Sequence, residues 1–256
     1  MGQVLVIANQ KGGVGKTTTT LNLGAILNEL NKEILLVDLD PQGGLTFHCG
    51  YEPEELESTI YDALKDEEMT DEIILETGFG PELLPANVDL AVSEMELMNT
   101  VARERRLTAV LNPLRDKYDL IIIDGQPSLG LLTLNAMTAA NQVIIPISCE
   151  YLALRGVNGL MKMIKKVQGQ LNSSLKINGV LPTMFDRRTN HTEWALKQIR
   201  DRFEPEIKVY NHIIYRSIRF AEAAEAQEPI IHYAKNIPGA DGYRNLAREL
   251  IKNGTV

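Results

Sequence analysis

Cysteine is scarce in this 256-residue chain: there are two, Cys49 and Cys149. That number, without a Cys-x-x-Cys spacing, excludes a disulfide framework and a local zinc or cluster motif, and it fits a reducing cytosol. No apolar run approaches the length of a membrane span. No basic-then-apolar leader precedes the first strand-like run, so a secretory signal is not expected. Positive charge is not in excess either: the net charge is −8, which argues against a uniformly basic nucleic-acid binder. Internal repeats, low-complexity tracts and a linker that would split the chain are also missing. Hydrophobic content of 44% and charged content of 23% are ordinary for a soluble globule. The expectation is one large α/β domain, residues 1–256, with a sizeable core.

The negative total hides an asymmetry. Residues 1–150 carry 9 Lys and Arg against 24 Asp and Glu, whereas residues 151–256 carry 17 against 10. The second part is either a polyanion-facing surface or a set of ordinary solvated helix faces.

What the sequence does have is a strand–loop–helix unit at its start. Val4-Leu5-Val6-Ile7 reads as a buried strand, and Leu21, Leu23, Ile26, Leu27 and Leu30 read as one helical face. Between them lies Lys11-Gly12-Gly13-Val14-Gly15-Lys16-Thr17-Thr18. Glycines without Cβ let a loop curl and turn its N–H groups inward, and the following helix adds its positive end. In the phosphate-loop pattern Lys16 reaches the β- and γ-phosphates and the Thr17 hydroxyl ligates Mg²⁺. The general pattern begins with a glycine where this chain has Gln10.

Three more short apolar runs read as buried strands: Glu33–Asp38, Tyr118–Asp124 and Asn141–Ile147, with a fourth at Ile177–Pro182. Helix-length segments alternate with them, which implies a mostly parallel sheet covered on both faces. Ligands of such sheets sit at the C-terminal strand ends. Asp40, just past the second strand, is placed to orient a water at the γ-phosphate and to help hold the metal shell; Asp124, ending the third, is placed to bind magnesium through water. In between, Ser58–Leu64 reads as a short capped helix, Asp66–Glu72 as an acidic surface stretch, and Leu83–Ala86 as a strand end. Met95, Leu97, Met98, Leu107, Val110, Leu111 and Leu114 read as helix core, and Arg103, Arg105 and Arg106 as a solvated face or dimer contact. Beyond Ile147, Leu154, Leu160, Ile164 and Val167 face inward, with Lys162, Lys165 and Lys166 outward.

The Lys11–Thr17 box resembles the deviant Walker A loop, Lys-Gly-Gly-x-Gly-Lys-Thr, of the ParA/MinD family of ATPases. Further boxes extend the resemblance from Val4 to about Leu250. Asp38–Gly43 resembles the family's switch I, and Asp124-Gly-Gln-Pro-Ser-Leu-Gly130 resembles its switch II, with Gln126 in place of a proline and hence a freer loop expected. Thr183–Asn190 is similar to the box beside the nucleotide base. Ile214–Ala224 resembles a later box in which Tyr215 replaces a proline and Ser217 an asparagine.

The resemblance implies a P-loop NTPase fold and a Mg²⁺-dependent ATPase whose ATP-bound homodimer is closed by an exchange of Lys11 across the interface. It implies catalytic roles for Lys11, Lys16 and Asp40. Nucleotide contacts fall to Lys11, Gly12, Gly13, Val14, Gly15, Lys16, Thr17 and Thr18. Base-side contacts fall to Met184, Tyr215 (an aromatic able to stack on adenine) and Ser217, and metal contacts to Thr17, Asp40 and Asp124. The chain looks like the short ParA partition type, without an N-terminal helix-turn-helix extension. In that type arginines at the places of Arg188 and Arg219 bind DNA non-specifically; Arg216 and Lys197 would widen the patch, unless the arginines pair with nearby acids.

The implied function is chromosome or plasmid partitioning by a cytoplasmic, nucleoid-associated protein. A ParB-like partner would stimulate hydrolysis. Alternatives are the same core positioning another cargo, such as a microcompartment or chemoreceptor cluster, or a MinD-like membrane-surface ATPase. The last is disfavoured by the short polar end Ile251–Val256. A nitrogenase-iron-protein-like reductase would need cluster cysteines that Cys49 and Cys149 do not match.

Overall fold

The computed structural model describes residues 1–66, 71–150, 154 and 156–256; the middle of the acidic stretch read at 66–72 lies outside them. Among the described residues seven strands form one sheet: β1 Gln3–Ile7, β2 Ile34–Leu39, β3 Leu75–Glu76, β4 Glu82–Leu84, β5 Leu120–Gly125, β6 Gln142–Ser148 and β7 Lys176–Thr183. Their order is β3-β4-β2-β5-β1-β6-β7. Every pairing is parallel except β3 with β4.

The central strands are buried on both faces, as parallel strands under crossover helices must be. Their side chains alternate between two cores. Val4, Val6, Leu35, Val37, Ile121 and Ile123 point to one, which is roofed by the helices Ile60–Asp66, Arg106–Leu111, Leu131–Ala139 and Val157–Gln170. Leu5, Ile7, Ile34, Leu36, Leu120 and Ile122 point to the other, roofed by Lys16–Glu29 and Pro238–Lys252. The expected α/β architecture, a mostly parallel sheet with helices on both faces, is present. Among the described residues no helix is long and apolar enough to cross a membrane, and the helix Pro238–Lys252 buries its apolar residues Tyr243, Leu246, Ala247 and Leu250 in the core.

Chain direction creates the site. From β1 the chain runs to β2 on one side; from β5 it returns across β1 to β6 on the other. The reversal leaves a crevice at the C-terminal ends of β1, β2 and β5. Register places Ile7 beside Asp124, and Asp124 beside Asp38.

Several local readings shift. The short helix begins at Ile60, not Ser58, because Thr59 and Asp62 cap it reciprocally: the Tyr61 amide donates to Thr59 Oγ1 at 3.2 Å and the Thr59 amide to Asp62 Oδ2 at 2.9 Å. The helix after β6 begins at Val157, so Leu154 precedes it in a half-buried turn, while Leu160, Ile164 and Val167 are fully buried. Met95, on the helix Leu90–Leu97, and Met98, just past its end, are not core: they are 74% and 60% exposed. Leu97 and Leu90 anchor that helix instead. The Arg103 side chain is 43% exposed, and it donates to the Met98 carbonyl at 2.5 Å and pairs with Glu104.

Candidate nucleotide-binding site

The phosphate loop joins β1 to the helix Lys16–Glu29. Gly13 and Gly15 have φ of +68° and +90°, backbone that side-chain-bearing residues adopt only at a cost. Gly15 is the N-cap, and no side chain caps this helix. Its first N–H groups are thus left for a ligand, and their partial positive charge favours an anion. Thr183 Oγ1 donates to the Val14 carbonyl at 2.8 Å, tying the loop to the end of β7. Thr19 Oγ1 bonds the Gly15 carbonyl at 2.6 Å and meets the Tyr243 hydroxyl at 3.1 Å, so the last helix braces the first turn.

Lys16 is buried, and its Nζ lies 3.4 Å from the Lys11 carbonyl. Burial lowers its pKa, opposed by the negative charges of Asp124 and Asp40. Asp124 is buried; its Oδ2 accepts from the Thr17 hydroxyl at 2.6 Å, while its Oδ1 has no hydrogen-bond partner. Burial, reinforced by the charge of Asp38, holds the Asp124 carboxyl well above the usual range, against the pull of Thr17 and Lys16. Asp38 is likewise raised, to about 6, chiefly by burial, with hydrogen bonds from Thr46 and the Asp40 amide opposing. Asp40 is half-buried; its Oδ1 accepts the Gln42 amide at 3.0 Å.

Two carboxylates, Asp40 and Asp124, thus act on one lysine, buried Asp38 adds its charge beside Asp124, and a buried Asp124 oxygen lacks a partner among the described residues; these features call for a cation. Among the described residues no group of three His, Cys, Asp or Glu closes around a metal. That suits magnesium, which keeps waters and takes one or two protein ligands together with substrate phosphates. The Thr17 hydroxyl and Asp124 Oδ1 are the groups that fit.

The structure therefore gathers Lys16, Thr17, Asp40 and Asp124. Lys11 turns away: its Nζ is 2.8 Å from Glu150 Oε2 and 3.4 Å from Ser148 Oγ, at the end of β6. Met184, Tyr215 and Ser217 line one cleft of about 220 Å³ with Gly15, Thr18 and Phe220. Arg187 lies over the Tyr215 ring at 4.2 Å and Phe185 meets it edge-on, so protein fixes the ring's orientation at the cleft. Gln126 departs from expectation. It is buried and donates to Glu94 Oε1 at 3.2 Å, so the substitution adds a tie to the loop.

The arginines read as a DNA face are exposed and hold acids. Arg188 grips Asp186 with two hydrogen bonds of 2.9 and 2.7 Å, and Arg219 pairs with Glu222 at 2.6 Å. Arg216 lies beside them, because the strand-like bridge between Phe185 and Tyr215 joins the two segments. Lys197 is exposed on the helix Asn190–Phe203. Sequence reasoning missed Glu94 and Glu150. Their partners Gln126 and Lys11 are 32 and 139 residues away, so no local spacing announces them.

This geometry, a glycine loop between a buried strand and an uncapped helix with a carboxylate at the neighbouring strand's end, defines a P-loop nucleotide-binding protein. Comparison with known proteins narrows the class. A family model described as "AAA domain" matches residues 2–177. The sporulation initiation inhibitor protein Soj of Bacillus subtilis is 45% identical over 99% of this chain and 100% of its own. The chromosome partitioning protein ParA of Myxococcus xanthus is 43% identical over 100% of this chain and 90% of its own. Among solved structures, the cobyrinic acid a,c-diamide synthase of Mycobacterium smegmatis with bound ADP and magnesium superposes with a TM-score of 0.88 at 41% identity, covering 99% of this chain and 95% of that one. The chain belongs to the ParA/MinD family.

Proposed function

We propose that this protein is a ParA-type, Mg²⁺-dependent ATPase that dimerises on ATP, binds DNA non-specifically as the ATP dimer, and leaves DNA after partner-stimulated hydrolysis. The observation that carries the reading is the buried Asp124. One of its oxygens holds Thr17 and the other has no partner among the described residues, directly beside a helix N-terminus that no side chain caps. The Soj and ParA relatives support a role in chromosome partitioning, with a ParB-like centromere-binding protein as the stimulating partner.

In this reading the loop amides and Lys16 bind the phosphates, and Thr17 and Asp124 hold the metal, which would neutralise charge on the transferring phosphoryl group. Asp40 orients the attacking water. Lys11 leaves Glu150 to meet the nucleotide of the second copy. The Lys11 and Glu150 side chains are 34% and 43% exposed, and an ion pair of that kind is worth little, so a nucleotide phosphate competes for it. The same holds for Arg188 and Arg219, whose surface pairs with Asp186 and Glu222 yield to DNA phosphates.

Gel retardation of random duplex DNA with ATP, ADP and no nucleotide tests the cycle. Retention is expected with ATP alone, and Asp40→Ala is expected to stay on DNA in ATP. Arg219→Ala should flatten the salt dependence of the affinity by roughly one unit of log–log slope. DNA retention indifferent to nucleotide would reject the switch.

A further inference from the structure

Glu94 sits on the helix Leu90–Leu97, more than thirty residues before the loop it serves. Its Oε1 accepts two hydrogen bonds, from Gln126 Nε2 at 3.2 Å and from the Leu132 amide at 3.1 Å. Gln126 lies two residues past Asp124, and Leu132 lies in the first turn of the helix Leu131–Ala139. A single carboxylate oxygen therefore ties both ends of the loop that leaves the metal-side aspartate. The approach is close: a Cβ on Gly130 would fall 2.3 Å from this oxygen. The helix it meets has Gly130 at its N-cap and no cap within its own segment, so Glu94 supplies from afar the acceptor and the negative charge that a helix start favours. Gln126 supplies the side-chain half of the tie and the Leu132 amide the backbone half.

We infer that Glu94 is a positioning residue for the nucleotide site: it clamps the loop Gly125–Leu131 so that Asp124 keeps its second oxygen turned toward the metal. The inference rests on the nucleotide-binding reading above. Glu94 touches no substrate; it acts through the seating of Asp124.

Two measurements on the full chain test it, with Glu94→Ala, Glu94→Gln and Gln126→Ala. The first is amide hydrogen exchange at Leu132 and along residues 125–131 in the free protein. The second is ADP affinity with and without Mg²⁺, giving the Mg²⁺ concentration for half-maximal enhancement. Glu94→Ala should speed exchange at Leu132 by about tenfold and raise the Mg²⁺ midpoint by about fivefold. Metal-free ADP affinity should change less than about twofold. Glu94→Gln keeps an acceptor oxygen and should restore both readouts. Gln126→Ala removes one of the two ties and should move both part of the way. If Glu94→Ala lowers the melting temperature but leaves the Mg²⁺ midpoint where it was, Glu94 is a cap and nothing more, and this inference alone is overturned. Failure of the parent protein to bind ADP at all would remove the nucleotide reading and this inference with it.

Discussion

Two loops leave the sheet at the site, and they are held in opposite ways. The loop after β2, Asp38–Gly43, is fastened by its own neighbours. Asp38 takes the Asp40 amide at 3.1 Å, and the Thr46 amide and hydroxyl at 2.8 Å each; Asp40 takes the Gln42 amide. Every one of these partners lies within eight residues. The loop after β5, Asp124–Gly130, has a local tie at Ser128, whose hydroxyl accepts the Gly130 amide at 3.2 Å, but its ends depend on Glu94, more than thirty residues back. A self-fastened loop is as stable as its own segment. A remotely fastened loop is as stable as the packing of the helix that reaches it, and the helix Leu90–Leu97 exposes Val92 and Met95 to solvent. The second loop is therefore the one an outside contact can loosen.

The largest expected break in this comparison comes where the two loops meet. Lys16 is the cation that both Asp40 and Asp124 feel. Lys16→Ala takes away the positive charge that acts on Asp40 and Asp124, and it removes the phosphate contact as well. ATP affinity measured by calorimetry should fall roughly 100-fold or more. Retained affinity would mean that the lysine is structural. Next comes the self-fastened loop. Thr46 donates to buried Asp38 and accepts the Ala86 amide at 3.0 Å. Thr46→Val removes both bonds at nearly constant shape, leaving a buried carboxylate and a buried amide short of partners. A loss of about 3 kcal/mol in denaturant unfolding is expected.

The same contrast explains what could be read from the sequence. β1, β2, β5 and β6 announced themselves as apolar runs, and the strand-end rule then put Lys16, Thr17, Asp40 and Asp124 on one side of the sheet before any coordinates. Those inferences need only local pattern and the handedness of crossovers. The misread residues have long-range causes. Met95 and Met98 look like core by composition, yet the helix Leu90–Leu97 turns Leu90, Ser93 and Leu97 inward instead. Gln126 looked like a loosening substitution because Glu94 was not visible as its acceptor. Two long-range contacts were simply not visible in the sequence: Arg187 lies over Tyr215 through the bridge between the Phe185 and Tyr215 segments, and Lys11 pairs with Glu150 past the end of β6.

The smaller effects sharpen the comparison at one glycine in each loop. Gly43 has φ +63°, and a Cβ there would meet Pro53 Cγ at 2.6 Å and the Ala86 carbonyl at 3.1 Å. Gly43→Ala combines left-handed strain with a ring and a backbone atom that cannot step aside, so a loss of about 2 kcal/mol is expected. Gly130 has φ −79°, which any residue adopts, and the atoms nearest its added Cβ would be the flexible end of Glu94. Gly130→Ala should therefore cost less than about 1 kcal/mol, because the carboxylate swings away, and global unfolding will barely register it. Swinging away breaks the bond to the Leu132 amide, however, so exchange at Leu132 should rise as it does in Glu94→Ala. A methyl group would then do locally what deleting the carboxylate does. If Leu132 stays protected in Gly130→Ala, the loop has other fastenings, and the contrast between the two strand ends is weaker than their hydrogen bonds imply.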